Sequence, residues 1–133
     1  RPVLVHGDYR PANLLVAEGR LEVLLDWELA HLGDPIEDVG WYCTPIYGRE
    51  HFIPGRWELA DFLRCYRERS GITVDPDRLR FWQTLAAYKL AALGLAAVRI
   101  FCDGDSTRPP SAVGPVIAAV LRTIGPPPAP GGR

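Results

Sequence analysis

The chain has 133 residues, 47% of them apolar, and a formal net charge of −1. That is one domain's worth of chain, able to bury a core, and its charge offers no electrostatic footprint for nucleic acid or for an anionic membrane. Cys43, Cys65 and Cys102 are odd in number and form no C-x-x-C pair, which argues against zinc and against a disulfide framework and fits free thiols in a reducing cytoplasm.

In chain order, Pro2 to Val5 is a short apolar run suited to a buried strand. His6 to Asn13 is polar and carries Gly7 and Pro11, so it reads as a loop. Leu14 to Val16 is a second strand, Ala17 to Arg20 a turn in which Gly19 can take a positive φ, and Leu21 to Leu25 a third strand. The two form a hairpin. Asp8 and Asn13 precede it and Asp26 follows it. A hairpin returns the chain to its start, so all three side chains can converge on one cleft. Asp26 ends an apolar strand, where a lone carboxylate is costly unless paired or metal-bound. His6 is expected to pack under the loop and bond to backbone. Glu28 is read either as a solvated or loop-bonding residue or as a contact to metal or substrate. His31 is read as a loop residue.

Asp34-Pro35-Ile36-Glu37 has the form of a helix start, with Asp at the N-cap, Pro at N1 and Glu at N3. Asp38 then lies in the first turn, where the helix dipole favours a carboxylate. This helix should run from Pro35 to Cys43. Thr44 to Arg56 is expected to be a connecting loop that could edge a substrate pocket. Trp57 to Arg69 has apolar residues at helical spacing (Leu59, Phe62, Leu63, Tyr66) and Gly71 as its stop. Asp75-Pro76-Asp77 starts another helix, Pro76 to Phe101, rich in Ala. Its Phe81, Trp82, Leu85 and Tyr88 are expected to be core. The longest apolar run, Leu90 to Val98, is too short to span a bilayer. Asp103 to Pro110 is a polar loop and Val113 to Ile124 a final helix. Residues 126–133, rich in Pro and Gly, are expected to be a disordered tail.

The spacing of Asp8, Asn13 and Asp26 suits phosphoryl transfer. That chemistry needs a base for the acceptor hydroxyl and hard oxygen ligands for Mg²⁺. The motifs His6-Gly7-Asp8-Tyr9-Arg10-Pro11-Ala12-Asn13, Leu25-Asp26-Trp27-Glu28 and Gly33-Asp34-Pro35-Ile36-Glu37-Asp38-Val39-Gly40 resemble those of the aminoglycoside phosphotransferase and choline kinase-like small-molecule kinases. The wording is most similar to the phosphotransferase domains associated with acyl-CoA dehydrogenases. Gly7 stands where protein kinases place Arg, and Trp27-Glu28 where they place Phe-Gly. The resemblance implies an α+β, protein-kinase-like fold of which residues 1–125 form the C-lobe: a small hairpin element carrying the site, then a mostly helical bundle. It implies that Asp8 is the catalytic base, that Asn13 and Asp26 bind Mg²⁺ on the phosphates of ATP, and that Arg10 meets the γ-phosphate. His6, Asp34 and Asp38 would support the site, Asp38 by bonding the backbone of the catalytic loop.

Such an enzyme needs an upstream lobe with a loop over the phosphates and a Lys paired with a Glu. The only Lys, Lys89, lies far downstream. The expectation is therefore a C-lobe fragment, inactive alone, whose missing N-lobe belongs to the same polypeptide. The expected activity is ATP- and Mg-dependent phosphorylation of a small-molecule hydroxyl in the cytoplasm. The alternative is a pseudokinase-like nucleotide-binding or scaffold module. Choline-like alcohols, sugars, amino alcohols, aminoglycosides and hydroxyacyl compounds all remain open as acceptors.

Overall fold

Four short strands lead and five helices follow in the computed structural model, which describes residues 1–110 and 113–124. The expected tail at 126–133 lies outside the described residues. β1 (Val3–Val5) pairs antiparallel with β4 (His31–Gly33), and β2 (Leu14–Ala17) with β3 (Arg20–Leu24). The sequence pattern offers β1 no partner and puts His31 in a loop. The Val5–His31 pairing closes residues 6–30 into one excursion that begins and ends at the same place. β1 is also less buried than its apolar run suggests. Only Val5 is covered, while Val3 and Leu4 are exposed.

The hairpin turn is two residues rather than four. Glu18 and Gly19 both take positive φ, 51° and 73°, the twist that two-residue hairpin loops need.

α1 (Glu37–Tyr42) starts later than its Asp-Pro signal suggests. Asp34 still caps, but as a turn: its Oδ1 accepts the Ile36 N–H at 2.8 Å and its carbonyl accepts the Glu37 N–H at 3.0 Å. Glu37 does not fold back to close a capping box. It is buried and meets Lys89 instead. The expected loop after α1 holds a short helix, α2 (Gly48–His51), and a bridge between Ile53 and Trp57. The bridge keeps Trp57 out of α3 (Leu59–Ser70), where Glu58 and Asp61 form a reciprocal capping box and Gly71, at φ 73°, ends the helix. α4 (Pro76–Cys102) is capped by Asp75, whose Oδ1 accepts the N–H groups of Asp77 and Arg78. α5 (Val113–Ile124) packs on α4.

The core gathers Ile36, Val39, Tyr42 and Cys43 around Leu79, with Phe62, Leu63, Tyr66 and Trp82 packed against it. Leu59, expected on the inner face of α3, is exposed. On α4, Trp82 packs inward but Phe81 and Tyr88 are exposed, because only one face of that helix meets α1. α4 is also long and apolar enough to cross a membrane, by length and composition alone. The uninterrupted run Leu90–Val98 understated this, since a helix tolerates a lone Lys or Arg among its apolar residues.

α1 lies almost backbone to backbone on α4. A Cβ at Gly40 would stand 2.3 Å from Trp82 Cβ and 2.8 Å from its carbonyl carbon. Gly40→Ala should therefore force the helices apart and cost about 1–3 kcal/mol, read as a lower melting temperature. Cys43 is buried, and burial pushes its thiol up to about 12, while Cys102 is exposed. A thiol reagent at neutral pH should label Cys102 in the native protein and reach Cys43 only on unfolding.

Candidate active site

The loop leaves β1 at His6, whose ring organises the residues on either side of the hairpin. His6 Nδ1 accepts the Asp8 N–H at 3.2 Å. The other ring nitrogen, Nε2, then carries the proton and donates to the Leu25 carbonyl at 2.8 Å. One neutral imidazole thus ties the loop to the strand end that precedes Asp26. Its ring centroid lies 4.8 Å from that of Trp27. Gly7 turns the chain at φ 86°, where a Cβ would stand 2.7 Å from the Leu29 carbonyl oxygen, so this passage admits only glycine.

At this turn Asp38 on α1 takes two successive backbone N–H groups. Its Oδ2 accepts from His6 at 2.7 Å and its Oδ1 from Gly7 at 2.9 Å.

Asp8 comes immediately after. Its Oδ2 accepts from Asn13 Nδ2 at 2.9 Å, and the same amide nitrogen donates to the Asp8 carbonyl at 2.9 Å. With Nδ2 turned to Asp8, the Asn13 amide oxygen is the atom left for a metal. Asp8 Oδ1 accepts from the indole N–H of Trp41 at 3.0 Å. Arg10 Nε lies 3.3 Å from Asp8 Oδ2 but is not aligned to donate, so charge attraction carries that contact. Its guanidinium carbon sits 5.9 Å from the centroid of the Tyr47 ring. Arg10 thus lies between the Asp8 carboxylate and the Tyr47 ring.

Asn13 is buried at the end of a 3-10 turn, Pro11–Asn13. Its carbonyl accepts the Leu25 N–H at 2.8 Å, which closes the open end of the hairpin. Asp26 therefore emerges beside Asn13. It is exposed, so the burial cost expected for it does not arise. What distinguishes Asp26 is its backbone, left-handed at φ 64° and ψ 60°, uncommon outside glycine. Glu28 is exposed on the next 3-10 turn, Trp27–Leu29.

Asp34 works away from the loop. Its Oδ2 meets Arg78 at 2.5 Å, linking the start of α1 to the start of α4. Partial burial pushes its carboxyl up, but the Arg78 and Ile36 bonds outweigh this and hold it below its ordinary value. Burial, helped by the charge of Asp38, pushes the Tyr9 hydroxyl up.

Two groups have no place in the sequence expectations. Trp41 stands three residues after Asp38, and that spacing puts both on one helix face; this was the available signal. The other is the cluster of Glu37, Lys89 and His31. Lys89 Nζ lies 2.6 Å from Glu37 Oε1 and His31 Nε2 lies 3.1 Å from Glu37 Oε2. The chain's only Lys therefore does pair with a Glu, on the helical side of the molecule. No short-range pattern joins residues so far apart in sequence.

Among the described residues no cluster of three or more His, Cys, Asp or Glu could hold a metal. Asn13 and Asp26 offer two oxygen ligands at one end of the hairpin. That fits Mg²⁺, which takes few protein ligands and completes its shell with phosphate and water. Cavities of 430 and 330 Å³ flank α1, and neither is lined by Asp8.

A carboxylate held on a loop, followed by a hairpin that returns the chain to the Asn13 end just before Asp26, is an arrangement compatible with phosphoryl transfer. Residues 1–88 match the phosphotransferase enzyme family, and the chain belongs to it. Acyl-CoA dehydrogenase family member 10 of Mus musculus is 51% identical over 110 residues, covering 70% of this chain and 10% of that protein. Acyl-CoA dehydrogenase family member 11 of Mus musculus is 29% identical over 117 residues, covering 78% of this chain and 15% of that protein. Uncharacterized protein YcbJ of Bacillus subtilis is 36% identical over 69 residues, covering 51% of this chain and 20% of that protein. The chain thus spans a small part of the relatives it matches. No solved structure matches it.

Asp34 gives a pH test of the scaffold. A carboxyl held below its ordinary value of 3.8 contributes its full stabilisation above that pH and loses it as pH falls through the lower folded value. Asp34→Asn keeps the capping oxygen but not the charge. Its melting temperature should lie below wild type at neutral pH, and the gap should close under acid conditions below about pH 4.

Proposed function

We propose that this chain supplies the catalytic loop and metal ligands of an ATP- and Mg-dependent kinase acting on a hydroxyl of a small molecule. The observation that carries the reading is the constrained carboxylate of Asp8, with Asn13 and Asp26 at the same end of the hairpin. Asp8 orients the acceptor hydroxyl and takes its proton. Asn13, through its amide oxygen, and Asp26 hold Mg²⁺, which neutralises the phosphate oxygens when bound. Arg10 turns from Asp8 toward the γ-phosphate, a better partner for its charge once the nucleotide is present. His6 and Asp38 hold the loop backbone, and Asp34 anchors α1. Glu28, exposed beside Asp26, is placed to meet metal or acceptor.

The described fold serves as the C-lobe, and an upstream lobe of the same polypeptide clamps the nucleotide. Two features support this. Lys89 is committed to Glu37. The apolar side chains Leu15, Val16, Leu21 and Val23 of the hairpin are exposed.

The test uses a polypeptide carrying this chain together with an upstream kinase lobe. Calorimetry should detect Mg-dependent ATP binding that Asp26→Asn abolishes. Asp8→Asn should keep that binding and lose about a hundredfold or more in transfer to an alcohol acceptor. Near-normal turnover by Asp8→Asn would overturn the reading.

A further inference from the structure

We infer that Trp41 is a positioning residue, whose indole N–H holds the Asp8 carboxylate in the orientation that leaves Oδ1 to receive the acceptor proton. The inference rests on the phosphoryl-transfer reading above.

A carboxylate offers about four lone-pair sites, two on each oxygen. Oδ2 of Asp8 accepts from Asn13 Nδ2 at 2.9 Å and faces Arg10 Nε at 3.3 Å. Oδ1 has a single donor among the described residues, the Trp41 indole at 3.0 Å. One site on Oδ1 therefore stays open while Oδ2 is crowded. The donor is neutral, so it orients the oxygen without cancelling the charge that makes Asp8 basic. Trp41 is only 4% exposed, and a buried indole N–H has to find an acceptor. Rotating Asp8 away would leave that donor unsatisfied, so the contact resists rotation.

The mount is rigid for a separate reason. Asp38, one turn before Trp41 on α1, holds the His6 and Gly7 N–H groups. Gly40 between them presses α1 onto Trp82 of α4. One helix thus fixes the loop backbone through Asp38 and the base through Trp41. In the step itself, the acceptor oxygen bonds to the γ-phosphorus of ATP as the bond from that phosphorus to the bridging oxygen breaks. ADP leaves with the electron pair. The hydroxyl proton passes to Oδ1 and is later lost to solvent.

Trp41→Phe removes the donor and keeps an aromatic ring in the space. Two measurements on the two-lobe polypeptide test the inference. Three-bond couplings of the Asp8 side chain should report one rotamer in wild type and averaging in Trp41→Phe. Turnover should fall about tenfold or more in kcat, the value of a hydrogen bond to a charged group, with KM for Mg-ATP unchanged. Unchanged couplings and unchanged kcat would overturn the inference. So would a fall in kcat matched by losses of Mg-ATP affinity and melting temperature, which marks a packing role. If wild type itself transfers no phosphate to any alcohol in a panel, the phosphoryl-transfer reading fails, and with it any catalytic role for Trp41. The couplings then still decide whether Trp41 orients Asp8.

Discussion

The carboxylate of Asp38 accepts two successive backbone N–H groups, and the geometry of the site depends on that pair of bonds. β1 ends at Val5, and at the Gly7 turn the His6 and Gly7 amides bond to Asp38 instead of continuing a strand ladder. Buried amides without acceptors would cost too much to keep. A charged acceptor supplied by a helix solves this and fixes where the loop stands relative to the helical body. Everything after Gly7 inherits that position: Asp8 as the next residue, Asn13 bonded to Asp8, and Asp26 set by the Leu25 bond to Asn13.

Charge is divided between two faces of α1. Asp38 serves the loop, whereas the neighbouring Glu37 points to the other side and meets Lys89 and His31. The Leu29 carbonyl and then Glu37 raise the affinity of His31 for its proton. His31 is largely exposed, so this contact contributes little energy. Its role is geometric: it stitches β4 to α1, as Arg78 and Asp34 stitch α1 to α4. On the loop side, Asp8 has a charge of its own nearby, Arg10, whose Nε lies 3.3 Å from Oδ2.

Local signals are legible where the chemistry is local. Asp75-Pro76 caps α4 because the Asp side chain and the fixed φ of Pro act within one turn. Gly71 ends α3 because only glycine takes its φ cheaply. The hairpin lay open in its two apolar runs and the Gly19 turn between them, although the turn proved two residues shorter than read. The same signals mislead where a distant partner competes. Asp34-Pro35 has the look of a full capping box, but Lys89 draws Glu37 away. The apolar stripe on α4 has the look of core, but α1 covers one face and Phe81 and Tyr88 stay exposed. β4 goes unseen because His31–Gly33 has no strand pattern of its own and exists only through pairing with β1.

The sequence alone determined the chemical inventory: a loop aspartate, an asparagine five residues on, and an aspartate after a hairpin. It also determined the family, because that set of motifs is short, contiguous and written in residue types the chemistry requires. Tertiary structure decided how those groups are held. That Asp38 takes two loop amides, that Trp41 binds the free oxygen of Asp8, and that Lys89 belongs to Glu37 depend on contacts spanning 31 to 52 residues. The first two arise when the loop after β1 packs on α1, the third when α1 packs on α4, and no local periodicity encodes those distances.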